Sequence, residues 1–283
     1  MNVLIVGVNS YIGDSFYSWV IKKNIKNIHI SFLDAKKEIW KTFDYSNFDV
    51  VYYVTGIAHI KETAENKNLY YKINRDLTIS IAKLAKKAGV QHFIVLSTMG
   101  VYGKISGHIK VSDIEMPNTH YGKSKYEADP ILKKMEDESF HVAIVRPPMV
   151  YGPKCKGNYN ALKKVSLMVP FFPKIQNERS MIYIDNLSSF IYYLAKNKSS
   201  GVFIPQNDQY VCTSIMVREI AKVNKKNVSL IPGMTLLLSH VPLQIFKKVF
   251  GSLTYEKIDY PGYKNDISDF SETIRLTEGI TNE

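Results

Sequence analysis

The chain has 283 residues, room for one large domain or two small ones around a sizeable core. Hydrophobic residues make up 45% and charged residues 22%, a globular balance, and no apolar run is long enough to span a bilayer. Basic side chains exceed acidic ones by 11, which favours anionic ligands of any kind, and two cysteines, Cys155 and Cys212, are too few for a disulfide framework or a four-thiolate zinc site.

Val3-Leu4-Ile5-Val6 is a continuous apolar run ending at Gly7, the pattern of a strand buried on both faces. Tyr11 to about Ile25 carries apolar positions at helical spacing. Asn27 to Ser31 reads as a second strand and Asp49 to Val54 as a third. Leu69 to Ala88 is helical, closed by Gly89 at its C-cap. Phe93 to Leu96 is a strand, Tyr121 to Met135 a helix, and His141 to Val145 a strand. This alternation predicts an α/β chain with a doubly wound parallel sheet. Beyond Pro147-Pro148 the pattern loosens into helices over Asn158–Val169, Asp185–Ala195 and Thr213–Val223, with strands at Met181–Ile184 and Val202–Ile204. The predicted organisation is a nucleotide-binding domain over 1–150 and a smaller C-terminal lobe over 151–283, with segments near 181–205 able to return to the first sheet. The stretch from Thr235 to Phe250 is apolar with a basic edge. Pro242 interrupts any continuous amphipathic helix there, so packing over the second lobe is expected in preference to membrane contact.

Two motifs carry chemistry. Gly7-Val8-Asn9-Ser10-Tyr11-Ile12-Gly13 joins the first strand to the first helix, whose free N–H groups and dipole suit a pyrophosphate. Ser10 stands where a third glycine would allow the closest phosphate approach. Tyr121 and Lys125 in Tyr121-Gly122-Lys123-Ser124-Lys125 share a helix face, and a cation one turn away would lower the phenol pKa toward acid–base use. Thr98, in Ser97-Thr98-Met99-Gly100, leaves a buried strand at its C-terminal end, where open parallel sheets bind ligands.

With these motifs in order, the chain resembles the extended short-chain dehydrogenase/reductases, the NAD-dependent epimerase/dehydratase group, and within it the nucleotide-sugar 4-reductases and 4-epimerases of bacterial surface-polysaccharide synthesis. The resemblance implies a Rossmann domain with a substrate-binding lobe and the catalytic set Thr98, Tyr121 and Lys125. It implies that Gly7, Ser10, Tyr11, Ile12 and Gly13 line the cofactor diphosphate and that Asp44 meets the adenine. It further places Val54, Thr55, Gly56, Asn74, Ser97, Tyr121, Lys125 and Pro147 along the cofactor. Substrate contacts fall to His59, Thr98, Met99, Met149, Asn158 and Arg179, the last gripping a diphosphate. The cofactor is NAD(H) or NADP(H); with Ser31 at the end of the second strand and Asp34 three residues late, NADP(H) is plausible. No metal, nucleic acid or membrane is expected, the location is cytoplasmic, and the partners are a UDP-sugar and a second copy of the chain in a homodimer. The leading expectation is C4 reduction of a UDP-4-keto-6-deoxy-N-acetylhexosamine. The runner-up is a UDP-sugar 4-epimerase holding NAD tightly, and a third reading is a non-catalytic nucleotide-binding regulator. A dehydratase fits less well, because Met99-Gly100 stands where that chemistry carries an Asp-Glu pair.

Overall fold

The computed structural model describes residues 1–58, 60, 62–234 and 243–280. His59 and the stretch from Thr235 to Pro242 therefore lie outside the described residues. The chain forms two compact units. The first comprises Met1–Gly103, Asp113–Pro147 and Ser188–Pro205; the second comprises Lys104–Ser112, Pro148–Leu187 and Gln206–Glu283. The excursion of Lys104–Ser112 has no counterpart in the sequence reading. It carries the strand Gly107–Ile109, which pairs in parallel with Leu253–Tyr255.

The first unit holds a six-stranded parallel sheet. Its strand order is Gly201–Phe203, His141–Val145, His92–Leu96, Val50–Tyr53, Asn2–Val6, His29–Leu33. Leu4, Ile5, Val51, Tyr52, Phe93, Ile94 and Ala143 are fully buried. Both faces of the sheet are covered, which explains the uninterrupted apolar runs. The winding direction reverses between Asn2–Val6 and Val50–Tyr53, and ligands of such sheets bind beyond the strand ends at that point.

Two differences from the sequence reading bear on the site. The second strand runs His29–Leu33, not Asn27 to Ser31, because its register against the first strand pairs Val6 with Leu33. Asn27 is instead in the left-handed region at φ 61°. The helix predicted over Leu69 to Ala88 is not uniform: Lys67–Tyr71 and Thr78–Lys87 are α-helical, while Lys72–Leu77 between them is π-helical. Such insertions re-aim a side chain, and here the turn contains Asn74.

His92, at the start of its strand, is buried. Its Nε2 lies 2.9 Å from the Ser199 carbonyl oxygen, whereas Nδ1 has no hydrogen-bond partner. That geometry suits a neutral ring, and burial pushes its pKa down from 6.5 to about 4. The unfolded chain therefore binds a proton first as pH falls. Stability should decline by up to ~3 kcal/mol between about pH 6.5 and pH 4. Chemical denaturation at stepped pH checks this, with His92→Gln expected to flatten that window; an unchanged slope would remove His92 from the acid response.

The second unit contains the parallel pairs Met149–Tyr151 with Met181–Tyr183 and Phe171–Pro173 with Ser229–Ile231. The helix Thr213–Val223 buries Met216, Val217, Ile220 and Ala221. Phe172, Val217, Ala221 and Val228 form one core cluster, with Leu162 and Phe250 packed against it.

Candidate active site

The glycine loop begins where the first strand ends. The Gly7 N–H donates to the Leu33 carbonyl at 2.9 Å, and its φ of 137° is one that side-chain-bearing residues rarely adopt. A Cβ at Gly7 would lie 2.9 Å from Val54 Cγ2, and one at Gly13 would lie 2.9 Å from Ile5 Cγ2. The loop is thus pressed onto the sheet, and only glycine fits both positions. Ser10 caps the helix Tyr11–Lys22, its hydroxyl accepting from the Gly13 N–H at 3.4 Å. These residues form a cradle that fits a dinucleotide diphosphate at a helix N-terminus.

The corrected second strand changes the reading of the adenosine end. Because the strand ends at Leu33, Asp34 follows it directly and stands beside the glycine loop, not three residues late. Its carboxylate accepts from the Lys36 N–H at 2.9 Å. Asp44 is exposed, and its carboxylate serves a turn, accepting from the Ser46 N–H and hydroxyl and from the Asn47 amide.

The loop after the third strand is held by Thr55 and Asn74. The Thr55 hydroxyl donates to the Val6 carbonyl at 2.9 Å. Asn74 is fully buried; its oxygen accepts from the Ile57 N–H at 2.9 Å, and its amide donates to the Ile57 carbonyl and to Ser124. A Cβ on Gly56 would sit 3.3 Å from Lys125 Nζ, so the lysine head lies against this loop.

The helix His120–Lys133 carries Tyr121 and Lys125 and is capped by Thr119, whose hydroxyl accepts from the Gly122 N–H at 3.0 Å. Glu62 adds a clamp that the sequence reading missed: its two carboxylate oxygens accept from the backbone N–H groups of His120 and Tyr121 at 3.0 and 2.9 Å. No local pattern links the two, since 59 residues separate Glu62 from Tyr121. At Gly122 a Cβ would come within 2.8 Å of the Gly100 carbonyl, so this glycine lets the helix close on the strand-end loop.

Three consecutive strand-end residues meet three positions of that helix spaced by four. Lys125 Nζ donates to the Leu96 carbonyl at 2.8 Å, and the Ser97 hydroxyl donates to Asp129 at 2.9 Å. The Thr98 hydroxyl acts on Tyr121 in the direction that favours its phenolate. Thr98 also caps the short turn Met99–Tyr102 by accepting from the Gly100 N–H. The Met99 N–H donates to the Pro147 carbonyl at 3.2 Å, which brings Pro147 to the same strand ends.

The electrostatics differ from the simple expectation for a Tyr–Lys pair. Burial raises the Tyr121 pKa; Thr98 opposes the rise, whereas Asp129 and Tyr70 add to it. Lys125 is itself desolvated, which lowers its pKa to about 8, with Asp129 acting in the other direction. Asp129 is buried and is raised to about 6 by desolvation, against the pull of Arg146. Arg146 donates through Nη2 to Asp129 at 2.9 Å and through Nη1 to Tyr102 and Glu115 at 3.0 and 2.9 Å. A buried ionic network thus underlies the helix that carries Tyr121 and Lys125. The sequence signals that could have disclosed it are Asp129, one turn beyond Lys125, and an arginine ending a buried strand.

The remaining candidates belong to the second unit. Met149 opens the strand that pairs with Met181, and Asn158 is exposed at the start of the helix Asn158–Met168. The Arg179 backbone bridges Val211, its Nη1 donates to the Gly251 carbonyl at 2.8 Å, and desolvation lowers its pKa. A half-desolvated guanidinium with one side-chain hydrogen bond among the described residues retains further N–H donors for an anion.

The profile of the NAD dependent epimerase/dehydratase family matches residues 3–204, spanning the glycine loop, the strand-end hydroxyls and the Tyr–Lys helix. The chain belongs to that family. A UDP-glucose 4-epimerase from Vibrio cholerae is 32% identical over 81% of this chain and 71% of its own length. An N-acetyl-alpha-D-glucosaminyl-diphospho-ditrans,octacis-undecaprenol 4-epimerase from Escherichia coli O157:H7 is 29% identical over 71% of this chain and 65% of its own. The crystal structure of UDP-glucuronic acid 4-epimerase from Bacillus cereus in complex with NAD shares the fold, with a TM-score of 0.76 at 16% identity over 99% of this chain and 98% of that one. As a member of this family the protein is an NAD(P)-dependent enzyme on a Rossmann-like parallel sheet. Among the described residues no helix is long and apolar enough to cross a membrane.

Proposed function

We propose that the protein is an NAD-dependent C4 epimerase of a sugar carried on a diphosphate, with a UDP-sugar as substrate. The observation that carries this reading is Asp34. An acid directly after the second strand can accept from both ribose hydroxyls of NAD, and it repels the 2′-phosphate of NADP. The relatives named for 4-epimerisation support the same chemistry. This shifts the weight from C4 keto-reduction, which the sequence alone favoured and which uses the same side chains.

When bound, the nicotinamide supplies the acceptor and donor of hydride at C4. The chain's part is proton transfer at O4: Tyr121 removes the proton from the sugar hydroxyl and later returns it, and Thr98 holds that oxygen. Lys125, fixed by the Leu96 carbonyl and facing Gly56, holds the cofactor ribose. In the second unit Arg179 is assigned to the substrate diphosphate, and Met149 and Asn158 to its sugar.

The test is the cofactor that survives purification. Acid release should yield NAD in near-stoichiometric amount, and the protein should interconvert C4 epimers of a UDP-hexose or UDP-N-acetylhexosamine without net change in NAD(P)H absorbance. Asp34→Ala should lose most of the retained NAD. Stoichiometric consumption of added NADPH with a 4-keto sugar, and no epimerisation, would instead establish the reductase.

A further inference from the structure

The net charge of +11 is not spread over the chain. Residues 153–177 contain five lysines and residues 220–255 contain five more, with no Asp, Glu or Arg in either segment. These ten lysines account for all but one unit of the excess. Both segments belong to the second unit and are bound together in it. The strands Phe171–Pro173 and Ser229–Ile231 pair, the Ser229 N–H donates to the Pro170 carbonyl at 2.9 Å, and the Phe172 and Phe250 rings lie 6.0 Å apart. Phe172 and Leu230 turn into the core cluster, so the alternate positions Phe171, Ser229 and Ile231 face outward.

That outward side is apolar at its tip. Met168 is 70% exposed and Phe171 53%, with Leu167 and Ile231 also exposed. Lys225 and Lys226, both exposed, immediately precede the strand that pairs with Phe171, and Lys164 and Lys174 flank the tip in sequence. Of the basic side chains here, Lys163 is matched by Glu278. Exposed methionine and phenylalanine side chains on segments rich in lysine and without acidic residues suit a surface that is anionic outside and apolar just beneath. A nucleic acid would use the lysines and gain little from Met168 and Phe171; a second copy of the chain would bring lysines against lysines.

We propose that this face of the second unit docks peripherally on an anionic lipid bilayer, with Met168 and Phe171 entering the headgroup boundary and the lysines contacting acidic headgroups. The surface does not depend on the 235–242 stretch or on the proposed reaction.

The experiment uses the full chain with sucrose-loaded vesicles of phosphatidylcholine alone or mixed with phosphatidylglycerol. The protein should sediment with the mixed vesicles and stay in solution with phosphatidylcholine. Lys225→Glu with Lys226→Glu, and separately Met168→Ser with Phe171→Ser, should each weaken binding about tenfold or more. Both pairs should keep the thermal midpoint and the vesicle-free turnover of a UDP-sugar, which reads the proposed activity independently. Absence of sedimentation overturns the proposal. So does binding that heparin competes away and that the Met168/Phe171 pair leaves intact, which marks a polyanion site, or loss of self-association in that pair without any vesicle binding.

Discussion

Tyr121→Phe should lower turnover by ~10²–10⁴-fold, the range of a lost acid–base group, while the purified variant retains its cofactor. The phenol is the group placed to move a proton: Thr98 opposes the rise of its pKa, and Glu62 clamps the helix turn that carries it. Because its pKa is raised, it is protonated at neutral pH, and since epimerisation begins with proton removal in either direction, turnover should accelerate as pH rises. Thr98→Ala removes the contact that opposes the rise, so the ascending limb of its pH–rate profile should move to higher pH. Steady-state assays of both variants with cofactor content measured alongside provide the check. Undiminished turnover in Tyr121→Phe would take Tyr121 out of the mechanism.

The largest stability effect is expected at Arg146. Only 2% exposed, it is the cation that matches Asp129 in the interior. Arg146→Met would strand that carboxylate with Ser97 as its remaining side-chain hydrogen-bond donor. Breaking a buried pair from one side costs about 3–5 kcal/mol, equivalent here to a fall in thermal midpoint of roughly 10 °C. The sign with pH follows from Asp129, whose folded pKa is raised above the unfolded value. Arg146 lowers that pKa, so its loss raises it further; both proteins hold Asp129 protonated in acid, where the deficit should be smallest, and the deficit should grow as pH rises above about 6. Adding Asp129→Leu should restore part of the loss, since no unpaired charge then remains. Calorimetry of the single and double variants decides the matter, and a single-variant loss below about 1 kcal/mol would show that the pair does not carry the helix.

Much of the first unit was legible because its cause is local. Apolar runs such as Val3–Val6 and Phe93–Leu96 are what a strand buried on both faces requires, and Gly7 and Gly13 punctuate the turn between strand and helix. Tyr121 and Lys125 share a face at any helix placement, so their pairing was visible from spacing alone. The end of the second strand was not. The alternation of Ile28, Ile30 and Phe32 marks a strand but not its last residue, and only the pairing of Val6 with Leu33 places Asp34 beside the glycine loop. That one register underlies the proposed choice of NAD, where the sequence left NAD(H) and NADP(H) both open.

The catalytic spacing, the phosphate loop and the concentration of lysines in two acid-free segments are properties of the chain order itself, and the sequence by itself determined them. Only the tertiary structure decided that Glu62 clamps the catalytic helix, that Asp129 and Arg146 form a buried pair beneath it, and that the two lysine segments meet around Phe171. Each of these joins residues far apart in the chain through hydrogen bonds or strand pairing. Contacts of that kind leave no periodicity in either partner segment, because they depend on which surfaces the packed core brings together.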